Sequence, residues 1–173
     1  MVSDSEITKL LEPFQIALKL EKEGRELFLY AARTTKSKLA RQTFEYLARE
    51  EDKHIEKIEK FYSALELSRG SEIPEIEDSQ AEEKLESFNQ RLESIKDEYQ
   101  VTTSDVEAYE MALQFESGTE EFYEEKLREA ENPKIRRFYQ WLMDEEQMHT
   151  RLLKSCLRFV ENPAEWFAKR KRI

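Results

Sequence analysis

The chain contains two histidines, and each follows a glutamate by three residues: Glu51 precedes His54, and Glu146 precedes His149. In an α-helix, residues three apart lie about 60° apart around the axis and about 4.5 Å apart along it, so both side chains project from one face. Carboxylate and imidazole are both ligands of iron and manganese. Two such helices could therefore bind metal between them.

The two Glu-x-x-His pairs belong to an internal repeat. His149 follows His54 by 95 residues, and Glu146 follows Glu51 by the same interval. At that interval Glu21 also aligns with Glu116. Further identical residues align without a gap: Ala17 with Ala112, Leu18 with Leu113, Arg33 with Arg128, Arg41 with Arg136, Leu47 with Leu142 and Glu50 with Glu145.

The matched set is typical of a two-metal site in a four-helix bundle. Such bundles use one Glu from each of two helices and Glu-x-x-His from each of the other two. Because 38 of the 173 residues are acidic, a single Glu-x-x-His is a weak indication, and the complete set supports the prediction. The opposing interpretation is a solvent-facing pair on an acidic helix. Against it, Glu51 shares a stripe with Leu47 and Ile55, and a buried unpaired carboxylate is costly.

Helical periodicity and capping signals place these residues on four long helices. The sequence predicts one all-α domain: a helix pair over residues 13–69, a connection over 70–103 that includes a helix at 81–99, a second helix pair over 104–160 and a short helix over 162–172. Ser37, a Ser104–Glu107 capping box, Asn132–Pro133 and Asn162–Pro163 mark helix starts.

Composition restricts the partners and the compartment. The formal net charge of −10 disfavours nucleic acid and anionic lipid as partners. A lone cysteine, Cys156, excludes an intramolecular disulfide and Cys-x-x-Cys metal sites. No apolar run approaches the ~20 residues of a membrane helix, and residues 1–11 lack a secretory signal. We expect a cytoplasmic protein that binds neither membrane nor nucleic acid.

The motifs "LEKEGRELF", "EEDKH", "FESGTEEFY" and "EEQMH" resemble the rubrerythrin-like branch of the ferritin-like superfamily. The resemblance covers residues 17–65 and 109–157. It implies a ferritin-like bundle with a long crossover between the second and third helices, and two iron ions bridged by Glu51 and Glu146. The remaining ligands it implies are Glu21 and His54 on one ion and Glu116 and His149 on the other. It also favours these glutamates over Glu50 and Glu145, which lie four residues before the histidines.

The sequence departs from that family in two respects. Rubrerythrins proper carry a rubredoxin-like domain with four cysteines, so here a separate electron donor, such as a rubredoxin-type protein, is expected. They also carry a further carboxylate one turn along the third helix, where this chain has Thr119 at i+3 and Glu120 at i+4. Whether Glu120 substitutes as a ligand stays open, as does manganese or a mixed metal pair in place of iron.

The resemblance implies an oxidoreductase of oxidative-stress chemistry that reduces hydrogen peroxide or dioxygen, as a peroxidase or ferroxidase. The alternatives are a non-catalytic protein for iron binding, storage or delivery, and a metal-free helical interaction module. A homodimer or higher homo-oligomer is expected.

A few other residues could contribute to a site or to packing. Tyr123, two turns beyond Glu116, either hydrogen-bonds a ligand or bound peroxide or packs as its repeat mate Phe28 would. Tyr46, Tyr109, Trp141 and Cys156 are predicted to pack in the core. Trp166 and Phe167 either dock the last helix or bury a subunit contact, and the basic end at residues 169–172 is predicted to be solvated.

Overall fold

The structure is a computed structural model that describes residues 2–94 and 103–170. Within those ranges all regular elements are helices. They are α1 (Asp4–Thr34), α2 (Lys38–Leu67), α3 (Ala81–Ser94), α4 (Thr103–Glu129), α5 (Pro133–Glu161) and α6 (Pro163–Arg170). The predicted all-α, ferritin-like bundle is confirmed, with α1, α2, α4 and α5 as its four helices.

The first helix begins nine residues earlier than the expected start at residue 13. Ser3 and Glu6 form a capping box: the Ser3 hydroxyl accepts from the Glu6 backbone N–H, and the Ser3 N–H donates to Glu6 Oε2 at 2.8 Å. Ile7 and Leu11 are buried, so the added turns contribute to the core. Pro13 therefore lies inside the helix, where it removes one backbone donor without ending it.

Most other helix boundaries agree with the predicted signals. The Ser37 hydroxyl caps α2, and Asn132 caps α5 just before Pro133. The α2 helix ends before Gly70, whose left-handed φ of 78° lets its N–H reach the Leu65 carbonyl at 2.8 Å. Because α4 already includes Thr103, Ser104 lies within that helix. The predicted helix residues 95–99 and 171–172 lie outside the described residues.

Contacts between pairs of helices establish the bundle topology. Gln15 reaches Tyr62 while Glu21 reaches His54, so α1 and α2 are antiparallel. In the same way, α4 and α5 are antiparallel because Glu116 contacts His149 and Tyr123 packs near Tyr139. Tyr123 donates a hydrogen bond to Glu21, and a Cβ placed on Gly24 would contact the Phe115 ring, so α1 and α4 also run in opposite directions.

These directions make α2 and α4 parallel, so the chain between them must return along the bundle. Residues 68–80 and α3 lie in this connection, and α3 packs on α5, where Asn89 accepts a hydrogen bond from Ser155 at 3.0 Å. The last helix also docks on α5: Trp166 Nε1 donates to Ser155 Oγ at 2.9 Å, and its ring meets Phe159 edge-on. Trp166 thus has the docking role that the sequence left open.

The apolar core is divided into two clusters. One contains Phe28, Phe44 and Tyr109, and the other contains Phe61 and Phe138, whose rings lie 4.1 Å apart. A layer of buried carboxyl and imidazole groups separates the two clusters. Helix pairing therefore places polar groups at mid-height of the bundle, enclosed by apolar packing above and below.

Two helical glycines differ in what surrounds them. A Cβ at Gly118 would meet nothing within 4 Å, whereas one at Gly24 would lie 3.0 Å from the Phe115 ring. Gly118→Ala is expected to raise the free energy of unfolding by about 0.5–1 kcal/mol, because alanine reduces the entropy lost on forming the helix. Urea unfolding measures the change. Gly24→Ala is the matched control, and an equal gain there would contradict the packing difference.

Candidate metal centre

The bundle brings the six predicted residues to one buried place. Glu21 comes from α1, Glu116 from α4, and the two Glu-x-x-His pairs from α2 and α5. None of the six side chains is more than 2 % exposed. They form two overlapping groups whose ligand-type atoms lie within 4.8 Å of one another: Glu21, Glu51, His54 and Glu146 in one group, and Glu51, Glu116, Glu146 and His149 in the other.

The first group surrounds His54 Nδ1. This nitrogen lies 3.0 Å from Glu21 Oε2, 3.3 Å from Glu51 Oε2 and 3.0 Å from Glu146 Oε1. A neutral or charged imidazole carries at most one proton on Nδ1, so it cannot satisfy three carboxylates. A cation placed among these four groups could interact with all of them.

The second group repeats this arrangement around His149 Nδ1. That nitrogen lies 3.2 Å from both Glu51 Oε1 and Glu116 Oε1, and 3.9 Å from Glu146 Oε2. Glu51 and Glu146 therefore each turn one oxygen toward each histidine. The two imidazole rings are nearly parallel, with centroids 5.1 Å apart. This geometry is what two carboxylates that bridge a pair of ions require.

Four buried carboxylate oxygens support the fit to metal. Among the described residues, Glu51 Oε2, Glu116 Oε2 and both oxygens of Glu146 have no hydrogen-bond partner. Leaving such groups uncompensated in the interior is expensive. Separations near 3 Å also equal those between neighbouring ligands of one ion with bonds of about 2.1 Å. The donor set therefore fits two cations that share Glu51 and Glu146.

Burial and mutual repulsion perturb the acids of the cluster. Burial, followed by the negative charges of neighbouring glutamates, raises the pKa of Glu51 and of Glu146 well above the ordinary range. Burial is also the main reason that the pKa of Glu116 rises to about 7. For Glu21, hydrogen bonds from its neighbours outweigh burial and lower the pKa to about 2. Metal binding would therefore compete with protons at Glu51, Glu116 and Glu146 but not at Glu21.

The surrounding glutamates favour the protonated form of the two histidines. Burial alone would lower the pKa of both imidazoles, but the surrounding glutamates outweigh it and raise the pKa of His54 and of His149. A cation would replace these protons as the partner of the carboxylates.

Sequence comparison agrees with this geometry. A sequence model of the rubrerythrin family matches residues 12–157. The chain belongs to the rubrerythrin family. Comparison with curated proteins and with solved structures finds no match. The matched range contains all six residues of the cluster, and the sequence has one cysteine where a rubredoxin-type iron site needs four.

Across the ranges 2–94 and 103–170, none of the helices combines the length and the apolar character that spanning a bilayer requires.

The neighbouring glutamates, Glu50 and Glu145, have a different environment from the predicted ligands. Lys84 on α3 lies 2.7 Å from Glu50 Oε2 and 2.5 Å from Glu145 Oε2, and Ser79 donates to Glu145 at 2.6 Å. Glu145 Oε2 also lies 3.6 Å from the outer nitrogen of His54, Nε2. These two acids therefore pair with the crossover segment. Sequence analysis did not anticipate Lys84, whose only signal was its place at the start of an amphipathic helix.

The sequence left the roles of two α4 residues, Tyr123 and Glu120, undecided, and the structure gives them different contacts. Tyr123 is fully buried and donates a short hydrogen bond to Glu21 Oε1, so it supports a predicted ligand while its ring packs near Tyr139. Glu120 accepts a hydrogen bond from Thr150 and is not a member of either four-residue group. Glu120, the candidate for the further carboxylate of the rubrerythrin family on α4, therefore lies outside both groups.

The remaining aromatic and cysteine predictions have mixed outcomes. Tyr109 is buried, and Cys156 is buried 3.8 Å from Thr43 Oγ1, where burial raises the pKa of its thiol to about 12. Tyr46 and Trp141 were predicted in the core but are only partly buried. Trp141 lies edge-on to the His54 ring, with centroids 5.5 Å apart, so it links that histidine to the surface.

Tyr123→Phe is expected to weaken metal binding on the Glu21 side by about tenfold, since partners of metal ligands typically contribute 10–100-fold in affinity. It should also lower the free energy of unfolding of the metal-free protein by about 1–3 kcal/mol, because Glu21 Oε1 loses a buried donor. Competitive chelator titration and urea unfolding measure the two effects. Phe122→Leu on the same helix is the control, and equal affinities for Tyr123→Phe and the unmodified protein would contradict the assigned role.

Proposed function

We propose that the protein is a two-iron oxidoreductase that reduces hydrogen peroxide or dioxygen with electrons from a separate donor. The observation that supports this most is the sharing of Glu51 and Glu146 between two otherwise separate ligand groups. A carboxylate-rich set with two imidazoles suits iron among the redox-active metals. When bound, two ferrous ions would supply the two electrons that, with two protons, convert hydrogen peroxide to two water molecules.

The chain would contribute ligands, exclusion of water and proton placement. The apolar clusters on both sides of the polar layer limit water access, which strengthens electrostatic interactions inside. Tyr123 Oη holds a proton against Glu21 Oε1 beside the centre. Burial raises the pKa of the Tyr123 phenol well above its usual value, so this proton stays on the oxygen at neutral pH. Tyr123 can therefore donate a hydrogen bond throughout turnover.

The single cysteine supports two further parts of the proposal. These 173 residues contain one thiol and therefore no four-cysteine iron site, and we propose that the electrons come from another protein. The buried thiol and the absence of a disulfide suit a reducing compartment, and we place the protein in the cytoplasm.

Anaerobic loading with ferrous iron tests the function. About two ions per chain should bind, as the motif count indicates. Peroxide should then produce a ferric absorption band, and reduced methyl viologen should sustain peroxide consumption. Zinc-loaded protein is the control, because zinc occupies similar ligands without redox chemistry. Uptake far above two ions would instead indicate storage, and saturation at two without turnover would indicate an iron carrier; either result would overturn the oxidoreductase proposal.

A further inference from the structure

A surface pocket of about 260 Å³ lies directly outside His54. Four lysines line it, Lys53, Lys57, Lys60 and Lys84, together with Glu56, Trp141 and His54 itself. Three of these lysines are paired with carboxylates: Lys53 with Glu50, Lys60 with Glu56, and Lys84 with Glu50 and Glu145. Four ammonium groups and three carboxylates therefore leave a small local excess of positive charge on a chain whose formal charge is −10. We call the three lysines on α2 (Lys53, Lys57 and Lys60) the lysine rim.

The floor of the pocket is a histidine of the candidate metal centre. Nδ1 of His54 faces the carboxylates, whereas Nε2, on the outer side of the ring, is buried and has no hydrogen-bond partner among the described residues. Glu145 Oε2 lies 3.6 Å from Nε2. Trp141 also lines the pocket and touches the His54 ring edge-on. At this point a predicted metal ligand, His54, lies just beneath the surface beside a partly exposed aromatic ring.

The lysines divide into a fixed wall and an exposed rim. Lys84 is held between Glu50 and Glu145 and is about a quarter exposed. The side chains of Lys53 and Lys60 pair with Glu50 and Glu56 on their own helix but remain 63 % and 74 % exposed. The Lys57 ammonium lies 5.3 Å from the centre of the Trp141 ring. The rim amines can therefore turn toward a partner without unfolding any element.

The position of these charges favours a protein partner over a small anion. A small anion would need buried donors that converge on it, but the buried polar atom in this pocket is the single nitrogen of His54. Exposed rim charges instead steer an oppositely charged surface into position and set its orientation. The occupant that matches this pattern carries acidic side chains around its own redox group.

We propose that the lysine rim docks an acidic one-electron carrier protein above Trp141 and His54. This inference rests on the proposed function, because a carrier is needed only if the metal pair turns over. In each encounter the carrier is oxidised by one electron and one metal ion is reduced by one. Two encounters restore the two electrons that a peroxide molecule consumes, and the two protons come from solvent. The edge contact between the indole and the imidazole, with ring centroids 5.5 Å apart, gives a packed route from the pocket to the centre.

A binding experiment that does not depend on turnover tests the docking surface. The probe is purified rubredoxin, a small acidic iron protein, mixed with zinc-loaded protein at low salt. Carbodiimide cross-linking should join its carboxylates to Lys53, Lys57 or Lys60, as located by mass spectrometry. The double reversal Lys57→Glu with Lys60→Glu should weaken binding at least tenfold. Lys154→Glu is the matched control, because Lys154 is exposed on α5 thirteen residues, or about 20 Å, beyond Trp141.

Turnover then separates failure of the docking surface from failure of the proposed function. In iron-loaded protein, the ratio of rubredoxin-driven to viologen-driven peroxide reduction should fall at least tenfold in the double reversal and stay constant in Lys154→Glu. Unchanged binding in the double reversal, or cross-links confined to other lysines, would overturn the docking proposal. Loss of peroxide reduction with both donors in the unmodified protein would overturn the function instead, while the cross-links would still report on docking.

Discussion

Glu51→Gln is expected to lower bound metal from about two ions per chain to less than one and to abolish peroxide reduction. Glu51 Oε1 lies 3.2 Å from His149 Nδ1 and Oε2 lies 3.3 Å from His54 Nδ1, so one carboxylate serves both halves of the centre. Glutamine has nearly the same volume but offers one acceptor oxygen and no charge. The binding of both ions should therefore be weakened together, whereas Glu21→Gln should weaken chiefly the binding of the ion on the His54 side.

The adjacent residue provides a matched control. Glu50 is as buried as Glu51 but pairs with Lys53 and Lys84 instead of facing the histidines. Glu50→Gln should therefore keep its metal content, which elemental analysis of protein purified after ferrous loading measures. Circular dichroism confirms that both variants fold. Full metal content in Glu51→Gln, or equal losses of metal in the two variants, would contradict the assignment of the glutamate three residues before the histidine as the ligand.

The second large effect concerns stability without metal. Removing metal is expected to lower the melting temperature by about 10 °C, because a ligand at a thousandfold excess over its dissociation constant contributes about 4 kcal/mol, and a domain of this size shifts by about 2–4 °C per kcal/mol. The loss of stability has its cause in the polar layer, where four buried carboxylate oxygens have no hydrogen-bond partner when no metal is bound. Calorimetry of metal-free and manganese-loaded protein measures the difference.

The stability of the metal-free protein should also decrease as pH rises. Burial raises the pKa of Glu116 from 4.5 to about 7, so between these values the folded chain holds a proton that the unfolded chain has lost. Its free energy of unfolding therefore falls with increasing pH across that window. The raised pKa values of His54 and His149 act in the same direction at higher pH, while the lowered pKa of Glu21 acts only in more acidic solution.

Bound metal should remove this dependence, since it replaces the protons of the cluster. The melting temperatures of metal-free and manganese-loaded protein should thus diverge between about pH 5 and pH 8. A constant difference across that range would mean that the buried acids are not protonated in the metal-free protein. No difference at any pH would mean that manganese does not bind.

The helices and the cluster could be predicted from sequence because their signals are local. Residues three apart share a helix face whatever the tertiary structure, so the repeated Glu-x-x-His pairs already placed four groups on two facing surfaces. The signal for the early start of α1 is equally local, in the Ser3–Glu6 capping box, although the predicted helix begins only at residue 13.

Lys84 and Trp141 could not be predicted in the same way. The ion pairs of Lys84 with Glu50 and Glu145 depend on where the crossover helix lies against α5. That position follows from long-range topology and leaves no periodic signal. The partial exposure of Trp141 likewise depends on how α2 and α3 leave room beside it. Both are properties of packing between elements distant in sequence.

The unrepeated crossover helix makes the two metal positions inequivalent. The sequence repeat alone would give each ion the same surroundings, but α3 has no counterpart among the described residues. The outer nitrogen of His54 has Glu145, tied to the Lys84 cation, 3.6 Å away, whereas the His149 ring meets the edge of Phe28. The surroundings of His54 and of His149 therefore differ in polarity and in net charge. The His54 and His149 sides would therefore bind cations with different affinities, and the two positions should fill one after the other as metal is added.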